Sequence, residues 1–155
     1  MKRRTLLTAG AVLLLPGVSS AQQAPAALPA ELAPDPTAFS KIMADFTRGA
    51  TPEKEGLALD MSMLADNPSA VPVKVRVTLP ITEQDWCEEI IVLAALNPSP
   101  LACRLRFTQA AGTAEAAVRV RLSQSQTVYA LARMKSGKLL SAQQAVIVAA
   151  SGCGM

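Results

Sequence analysis

The stretch VPVKVRVTL, residues 71–79, alternates apolar and polar side chains along its whole length. Successive side chains of a β-strand point to opposite faces, so this alternation predicts a strand with one buried and one solvated face. Other short apolar or alternating runs follow at intervals of roughly 8–12 residues, with no helical pattern between them, which is typical of an antiparallel β-sandwich. The predicted strands are residues 56–59, 71–79, 90–96, 101–108, 118–123, 127–134 and 139–148. Residues 82–85 are expected to form a single helical turn, and Glu88-Glu89, next to the start of the third strand, is expected to be surface charge.

One helix is predicted ahead of the strands. Asp35 or Thr37 can cap its first turn, and Gly49 followed by Thr51-Pro52 ends it. Its apolar residues recur at i, i+3, i+4 and i+7, which places them on one face that packs in a core or an interface. With this helix, residues 37–148 are predicted to form a single domain. The apolar face consists of Phe39, Ile42, Met43 and Phe46.

The first residues have the pattern of an export signal. Lys2-Arg3-Arg4 precedes an apolar run over residues 6–18, and Ser19-Ser20-Ala21 follows as a cleavage pattern of small residues. The apolar run is shorter than the ~18–20 residues of a membrane span, so residues 1–21 are predicted to be a signal peptide that directs the chain to the periplasm. The adjacent arginines favour a twin-arginine signal, with an ordinary Sec signal as the alternative. Residues 22–36, rich in Ala and Pro, are predicted to be a flexible leader.

The formal net charge of +3 belongs entirely to this predicted signal, so the remaining chain is neutral and no nucleic-acid partner is expected. The charge is nevertheless polarised along the sequence. Residues 22–103 carry five basic and eleven acidic side chains, whereas residues 104–155 carry seven and one. Either the second half offers a cationic face to an anionic ligand or acidic partner, or the two halves neutralise each other across the fold.

Four arginines permit two interpretations. In a hairpin that joined residues 101–108 to residues 117–123, each arginine would oppose another across the strands. Like charges in that position are unfavourable unless an anion or an acidic partner lies between them, which would make a functional patch. The interpretation favoured here is that the two strands belong to different sheets and the arginines are solvated. The opposed pairs would be Arg104 with Arg121 and Arg106 with Arg119.

The composition excludes several classes of active site. The chain contains no histidine, which rules out Ser-His-Asp and Cys-His catalytic arrangements and histidine-ligated metal sites. No glycine-rich phosphate-binding loop precedes a helix. Five aromatic residues are too few for a platform on which nucleic-acid bases stack. The sequence therefore predicts a protein that is not itself an enzyme and that holds no metal and no cofactor.

The chain contains three cysteines, and an odd number in an oxidising compartment leaves one thiol unpaired, shared between chains or modified. Cys87 and Cys103 lie in the body of the domain. They either form a disulfide or remain buried as small apolar side chains. Cys153 stands between Gly152 and Gly154, and glycine restricts the backbone least, so residues 149–155 are predicted to form a flexible arm that carries Cys153.

Cys153 is poorly equipped to activate itself. No basic residue accompanies it in the tail, and the terminal carboxylate on Met155 disfavours the thiolate, which is the reactive form. Cys153 is the fourth residue after Ala149, and an extended chain spans ~3.3–3.6 Å per residue, so the sulfur can reach roughly 13–14 Å beyond the sandwich. These properties indicate a cysteine that holds cargo while another protein supplies the reactivity.

The order of motifs resembles the SoxY family, the sulfur-carrier subunits of the periplasmic thiosulfate-oxidising system. The resemblance covers about residues 35–155, after a start similar to a twin-arginine signal. The matching segments are Gly49-Ala50-Thr51-Pro52, Val71-Pro72-Val73, Asn97-Pro98-Ser99-Pro100, Gln126-Thr127-Val128 and the terminal Gly152-Cys153-Gly154.

This resemblance implies an immunoglobulin-like β-sandwich that forms a heterodimer with a second β-sandwich subunit, SoxZ. It implies that thiosulfate-derived sulfur is attached to Cys153, with Gly152 and Gly154 giving the arm its freedom. A c-type cytochrome complex would couple thiosulfate to the thiol, and a di-metal hydrolase would release sulfate. In some organisms a dehydrogenase then oxidises the remaining sulfur.

Two departures from the family pattern leave alternatives open. Ser151 and Met155 stand where the family has glycine, and Met155 adds bulk beyond the reactive sulfur. One alternative is a periplasmic Cu(I) carrier that uses Cys153 and Met155 as thiolate and thioether ligands, with Met61 and Met63 as further candidates. Another is a structural sandwich with an incidental terminal cysteine.

Overall fold

The strands of the protein form two sheets that pack face to face in the computed structural model, which describes residues 30–149. One α-helix, α1, precedes eight strands, and two short 3-10 turns lie at Ala30–Leu32 and Gln109–Ala111. The helix and strands are α1 (Pro36–Thr47), β1 (Leu57–Met61), β2 (Leu64–Ala65), β3 (Val71–Val77), β4 (Cys87–Ala94), β5 (Leu101–Arg106), β6 (Glu115–Val120), β7 (Gln126–Met134) and β8 (Leu139–Val148).

The sheets have three and five strands, in the orders β1-β3-β6 and β2-β8-β7-β4-β5. All pairs are antiparallel except β2 with β8, which is parallel. The prediction of an all-β, immunoglobulin-like sandwich with a short N-terminal helix is confirmed. The predicted signal peptide, leader residues 22–29 and arm residues 150–155 lie outside the described residues, whereas leader residues 30–36 include a 3-10 turn and the first residue of α1. No helix within residues 30–149 is long and apolar enough to cross a membrane.

Strand β3 forms as its alternating sequence predicts. Val71, Val73, Val75 and Val77 are buried, and the intervening side chains are exposed. The strand lies between β1 and β6, with Val75 opposite Leu59 on one side and Ala116 on the other. Its valines therefore form one wall of the inner core, which the facing strands β4, β7 and β8 complete.

Strand β4 is buried on both faces. Ile90 and Val92 face the inner core, whereas Ile91 and Leu93 belong to a second core beneath α1. The sequence placed this strand at residues 90–96, but it spans Cys87–Ala94. The early start was missed because Glu88 and Glu89 read as surface charge, whereas Glu89 is only 7% exposed.

Helix α1 begins with one of the two expected capping residues, but its C-cap is Arg48 and not the predicted Gly49. Asp35 is the N-cap, and its carboxylate accepts a hydrogen bond from the N–H of Ala38 at 2.8 Å. Arg48, in the left-handed conformation, closes the last turn. The predicted apolar face packs onto the outer side of the five-stranded sheet and confirms the core interpretation. Phe39, Ile42, Met43 and Phe46 contact a cluster of Ile91, Leu93, Leu131 and Leu139.

One local prediction was wrong. Residues 82–85 were expected to form a helical turn, but they form a bend. The N–H of Asp85 donates to the hydroxyl of Thr82 at 3.0 Å, and the N–H of Thr82 donates to the carbonyl of Asp85 at 2.8 Å. Asp85 also accepts hydrogen bonds from the backbone and hydroxyl of Ser136, so the bend is held against the β7–β8 turn.

Candidate functional site at the root of the C-terminal segment

The last residues of β8 fix the point from which the C-terminal segment departs. Residues 147–149, here called the arm root, are held from two sides. The N–H of Ile147 donates to the carbonyl of Met63 at 2.7 Å, and the N–H of Ala149 donates to the carbonyl of Ala65 at 3.0 Å. The N–H of Val148 donates to the hydroxyl of Ser125 at 2.9 Å. Ala149 is therefore an anchored position, four residues before Cys153.

Apolar side chains surround the arm root on its outer side. Val146 is buried and Val148 packs against the inner core, so Ile147 points the opposite way and is 62% exposed. Leu64, its register partner on β2, is 53% exposed, and the adjacent Met63 is 69% exposed. We refer to Met63, Leu64 and Ile147 as the root patch.

A buried polar network stiffens the same end of the sandwich. The side-chain amide of Gln126 donates to the side-chain carbonyl of Asn97 at 2.8 Å and accepts from the N–H of Leu96 at 2.7 Å. Asn97 in turn donates to the carbonyl of Arg121 at 2.7 Å. Gln126 lies opposite Val146, so the network braces β8 just before the arm root. In the sequence, Asn97 and Gln126 are notable only as part of two segments that resemble the SoxY family, because nothing local in the sequence indicates that these two side chains meet.

The disulfide alternative for Cys87 and Cys103 is wrong for this fold, since both thiols are free. Cys103 lies opposite Val92, five residues along β4 from Cys87. That separation is roughly 16 Å at the rise of a strand, far beyond the ~4.4–6.8 Å between Cα atoms that a disulfide requires. Cys87 is buried in the inner core and Cys103 packs against it, as the other alternative predicted.

Burial keeps these two thiols protonated. It raises the pKa of Cys87 from 9.0 to about 11, with a further contribution from the acidic side chains of Glu88 and Glu89. Burial also raises the pKa of Cys103. Because the thiolate is the nucleophile, neither side chain is prepared for sulfur chemistry at neutral pH.

We expect iodoacetamide to alkylate Cys87 at pH 8 at least about 100-fold more slowly in folded protein than in urea. In the folded protein little of this thiol is ionised, and the reagent cannot reach the buried sulfur. Since the folded pKa is raised, the stability associated with the protonated thiol is present below pH 9.0 and is lost as the pH rises toward about 11. Mass spectrometry of time-quenched samples measures the alkylation. Equal rates in the two states would contradict the burial of Cys87.

Strands β5 and β6 belong to different sheets, so the four arginines do not oppose one another across a hairpin, as the favoured interpretation held. The two on β6 and directly after it are exposed, whereas the two on β5 pair with an acid. The carboxylate of Glu89 forms ion pairs with three arginines, with N–O distances of 2.9 Å to Arg104, 3.7 Å to Arg106 and 3.5 Å to Arg133. Arg133 also donates to the carbonyl of Phe46 at 2.7 Å, at the end of α1. This cluster ties the helix to the sheet.

Two further ion pairs also join bases of the second half of the chain to acids of the first half, whereas Glu115 of the second half pairs with Lys74 and Arg76 of the first. Lys135 pairs with Glu88 at 3.2 Å, and Lys138 pairs with Glu53 at 2.9 Å. With the arginines on Glu89, five basic residues of the second half of the chain thus contact acids of the first half. Of the two interpretations of the polarised charge, the structure supports mutual neutralisation.

Within residues 30–149, no group of three or more His, Cys, Asp or Glu side chains is placed to hold a metal ion. Every buried side-chain N and O atom in that range has a hydrogen-bond partner. The predicted attachment residue Cys153, with Gly152 and Gly154, lies outside the described residues, and its role stays a prediction. What the structure adds is the anchored position of Ala149 and the root patch beside it.

Comparison with known proteins finds a matching family and several similar structures. The SoxY family model, a sulfur oxidation protein, matches residues 43–153. A search of curated proteins gives no significant match. The structure of the sulfur carrier protein SoxY from Chlorobium limicola f thiosulfatophilum is similar with a TM-score of 0.58 and 20% identity, covering 75% of this chain and 100% of that one.

Two other solved structures share the fold. Superoxide reductase (neelaredoxin) from Ignicoccus hospitalis has a TM-score of 0.54 at 17% identity, covering 67% of this chain and 91% of that one. A putative superoxide reductase from Thermotoga maritima has a TM-score of 0.53 at 19% identity, covering 68% and 92%. At these identities the structures establish only the sandwich architecture. The family match, however, covers most of the sequence, and the chain belongs to the SoxY family.

Proposed function

We propose that this protein is a sulfur carrier whose covalent attachment point is Cys153. The observation that carries the proposal is the extent of the family match, which runs through the sandwich and ends at Cys153 itself. The anchored arm root supports it, because Ala149 presents the last residues at one end of the sandwich. The sulfur is then within roughly 14 Å of a fixed point, a distance that suits insertion into a partner's cleft.

The state of the other two cysteines supports the same assignment. Cys87 and Cys103 are free, packed against the core and held protonated by burial. A thiol that accepts sulfur from a partner must ionise and be reached by that partner. By this criterion neither is suited to the role, and Cys153 is the remaining cysteine of the chain.

The proposed loading step is an oxidative coupling. The Cys153 thiol loses one proton, the thiol and the thiosulfate dianion together lose two electrons as a new S–S bond forms, and the electrons pass to a c-type cytochrome partner. Hydrolysis then breaks the bond between the outer sulfur and the sulfonate. Water supplies the oxygen, sulfate leaves, and a persulfide remains on Cys153 for a dehydrogenase to oxidise further. The partners supply the oxidising centres and the hydrolytic metal ions, while this chain supplies the thiol.

The proposal extends to location and assembly. Residues 1–21 have the features of a twin-arginine signal, so the carrier acts in the periplasm after export in the folded state. A second β-sandwich subunit similar to SoxZ forms a heterodimer with it, and a subunit without its own signal would leave the cytoplasm bound to this one. Both statements rest on the sequence pattern and on the family.

Intact-mass spectrometry tests the proposal directly. Protein incubated with thiosulfate and its oxidising cytochrome should gain about 112 Da, the mass expected for a thiosulfonate adduct, and a reductant should remove it. Peptide mapping should place the adduct on Cys153. No mass gain with an active cytochrome would refute the carrier function.

The copper alternative makes a different prediction. Met63 is exposed beside the arm root and would serve as a further soft ligand in addition to Cys153 and Met155. A copper carrier would bind one equivalent of Cu(I) tightly and would show no adduct with thiosulfate. Titration of the reduced protein with Cu(I) against a chromogenic chelator separates the two functions.

A further inference from the structure

A small recess lies where the C-terminal end of α1 meets the outer face of the five-stranded sheet. Its charged walls are Asp45 and Arg48 at the end of the helix, Glu89 on β4, Arg104 on β5 and Arg133 on β7. We call it the arginine recess. Its volume of about 190 Å³ is below the ~300–1,000 Å³ of sites that take drug-sized ligands. It therefore suits a small ion accompanied by a few waters, each of which takes ~30 Å³.

Positive charge exceeds negative charge around the arginine recess. Four guanidinium groups and two carboxylates give a formal charge of +2 there, and the groups are Arg48, Arg104, Arg106, Arg133, Asp45 and Glu89. Only Arg104 approaches Glu89 at an ordinary hydrogen-bond distance, 2.9 Å, while Arg106 and Arg133 stand off at 3.7 and 3.5 Å. One carboxylate with two oxygens does not neutralise the three cations that surround it, so an anion added to the recess would be attracted.

Arg48 is the basic residue of the recess that no protein contact accounts for. Within residues 30–149 it is the one non-glycine residue with a positive φ, 51°, a conformation that costs an L-residue energy. Glycine is the usual residue of this conformation at a helix end. Among the described residues Arg48 forms no ion pair, although its side chain lines the recess. Its guanidinium donors are therefore available to a ligand.

The donors on the sheet side are held in place by the protein itself. Arg133 donates to the carbonyl of Phe46 at 2.7 Å, and its guanidinium carbon lies 4.4 Å from the centre of the Phe46 ring. Each guanidinium carries five N–H donors in a planar fork that matches the oxygen pairs of an oxyanion. Arg104 uses one of these donors on Glu89, and Arg133 uses two, on Glu89 and on Phe46. Several donors on each arginine thus remain for a bound anion.

Two features of the recess act against an anion. The carboxylate of Asp45 repels it, and so do the carbonyl groups at the C-terminal end of α1. Two of these carbonyls are already engaged, that of Phe46 by Arg133 and that of Ala44 by the N–H of Arg48. The surplus of guanidinium groups outweighs the one remaining carboxylate, and removal of that carboxylate provides a test in the opposite direction.

We propose that the arginine recess binds a small divalent oxyanion of the class of sulfate, thiosulfate or phosphate. The anion lies between Arg48 at the end of the helix and Arg104 and Arg133 on the sheet, so its binding strengthens the junction of α1 with the sheet. It is held by ion pairs and hydrogen bonds, without covalent change. The site is independent of the proposed carrier function, because Arg133 lies opposite Leu139, at the far end of β8 from the arm root.

A titration followed by nuclear magnetic resonance tests the site. Sodium sulfate is added to ¹⁵N-labelled protein while sodium chloride is lowered to hold the ionic strength constant. The amide signals of Arg48, Glu89 and Arg104 should shift and saturate, with a dissociation constant on the order of 1 mM. Saturation separates binding from the general exclusion of sulfate from protein surfaces. Thiosulfate and phosphate should bind within about tenfold of sulfate, and acetate, with a single charge, at least about tenfold more weakly.

The variants change the charge of the recess in both directions. Arg48→Gln should raise the dissociation constant for sulfate at least about tenfold. Arg48→Gly should do the same while relieving the backbone, so its fold is secure. Asp45→Asn should lower the constant about threefold, because it removes a repelling charge. Arg119→Gln and Asp60→Asn make the same charge changes on exposed residues of the other sheet and should bind sulfate as the wild type does.

Each outcome decides the proposal. Weaker binding in both Arg48 variants and tighter binding in Asp45→Asn, with both control variants unchanged, would support the site. Shifts that grow in proportion to sulfate without saturating would overturn it, and so would saturation that neither Arg48 variant alters. Acetate binding as tight as that of sulfate would overturn the assignment to a divalent oxyanion. Unfolding curves of each variant check that the fold is intact.

Discussion

Replacing Cys153 with serine is expected to abolish the thiosulfate adduct completely. The substitution changes one atom and leaves residues 30–149 untouched, so folding and the surface near Ala149 should be unaffected. A serine hydroxyl neither ionises near neutral pH nor forms a stable bond to sulfur, so no partner enzyme can restore loading. Intact-mass spectrometry after exposure to thiosulfate and the cytochrome should show only unmodified protein.

Cys103→Ser is the matched control for this result. It makes the same chemical change in a thiol that packs against the inner core and whose pKa is raised by burial. We expect full loading in this variant, with only a modest loss of stability from the partly buried hydroxyl. An adduct that persists in Cys153→Ser and disappears in Cys103→Ser would reverse the assignment of the carrier thiol.

Leu131→Ala is expected to lower the free energy of unfolding by about 3 kcal/mol, within the range for a buried leucine that leaves a cavity. Leu131 is 1% exposed on β7 and packs in the cluster between the five-stranded sheet and α1. Its removal weakens the contact of Phe39, Ile42 and Phe46 with the sheet. Urea unfolding followed by circular dichroism measures the change.

Leu64→Ala provides the comparison, since it makes the identical chemical change at a side chain that is 53% exposed. Its cost should be below about 0.5 kcal/mol, as is usual at surface positions. Similar losses for the two variants would show that α1 contributes little to the fold and that its second core is not cooperative with the sandwich.

The elements that the sequence predicted well are those with a complete local signal. Strand β8 has the predicted bounds, Leu139–Val148, and β3 ends two residues before the predicted limit. Helix α1 follows from the cap at Asp35 and from the spacing of its apolar face. In each case the period of the apolar residues and a capping or turn residue predict the same element, and tertiary contacts do not change it.

The features that the sequence could not predict depend on contacts between residues that are far apart in the chain. Glu89 reads as a surface charge until three arginines from β5 and β7 surround it. Strand β2 has only two residues, and its parallel pairing with β8 gives no periodic signal. The disulfide alternative failed for the same reason, because the register of β4 with β5 decides which side chains meet, and spacing alone does not fix register.

The hydrogen bonds that hold Ile147 and Ala149 to the β2 segment have a kinetic consequence. Once a partner has docked, a thiol tethered within roughly 14 Å of a fixed origin is confined to a volume equivalent to an effective concentration of roughly 0.1 M. A partner enzyme would then meet its substrate at an effective concentration far above that of any dissolved sulfur species. Under the proposed carrier function, weak and rapidly reversible encounters would then be sufficient, and one cargo-bearing molecule would pass quickly between successive enzymes.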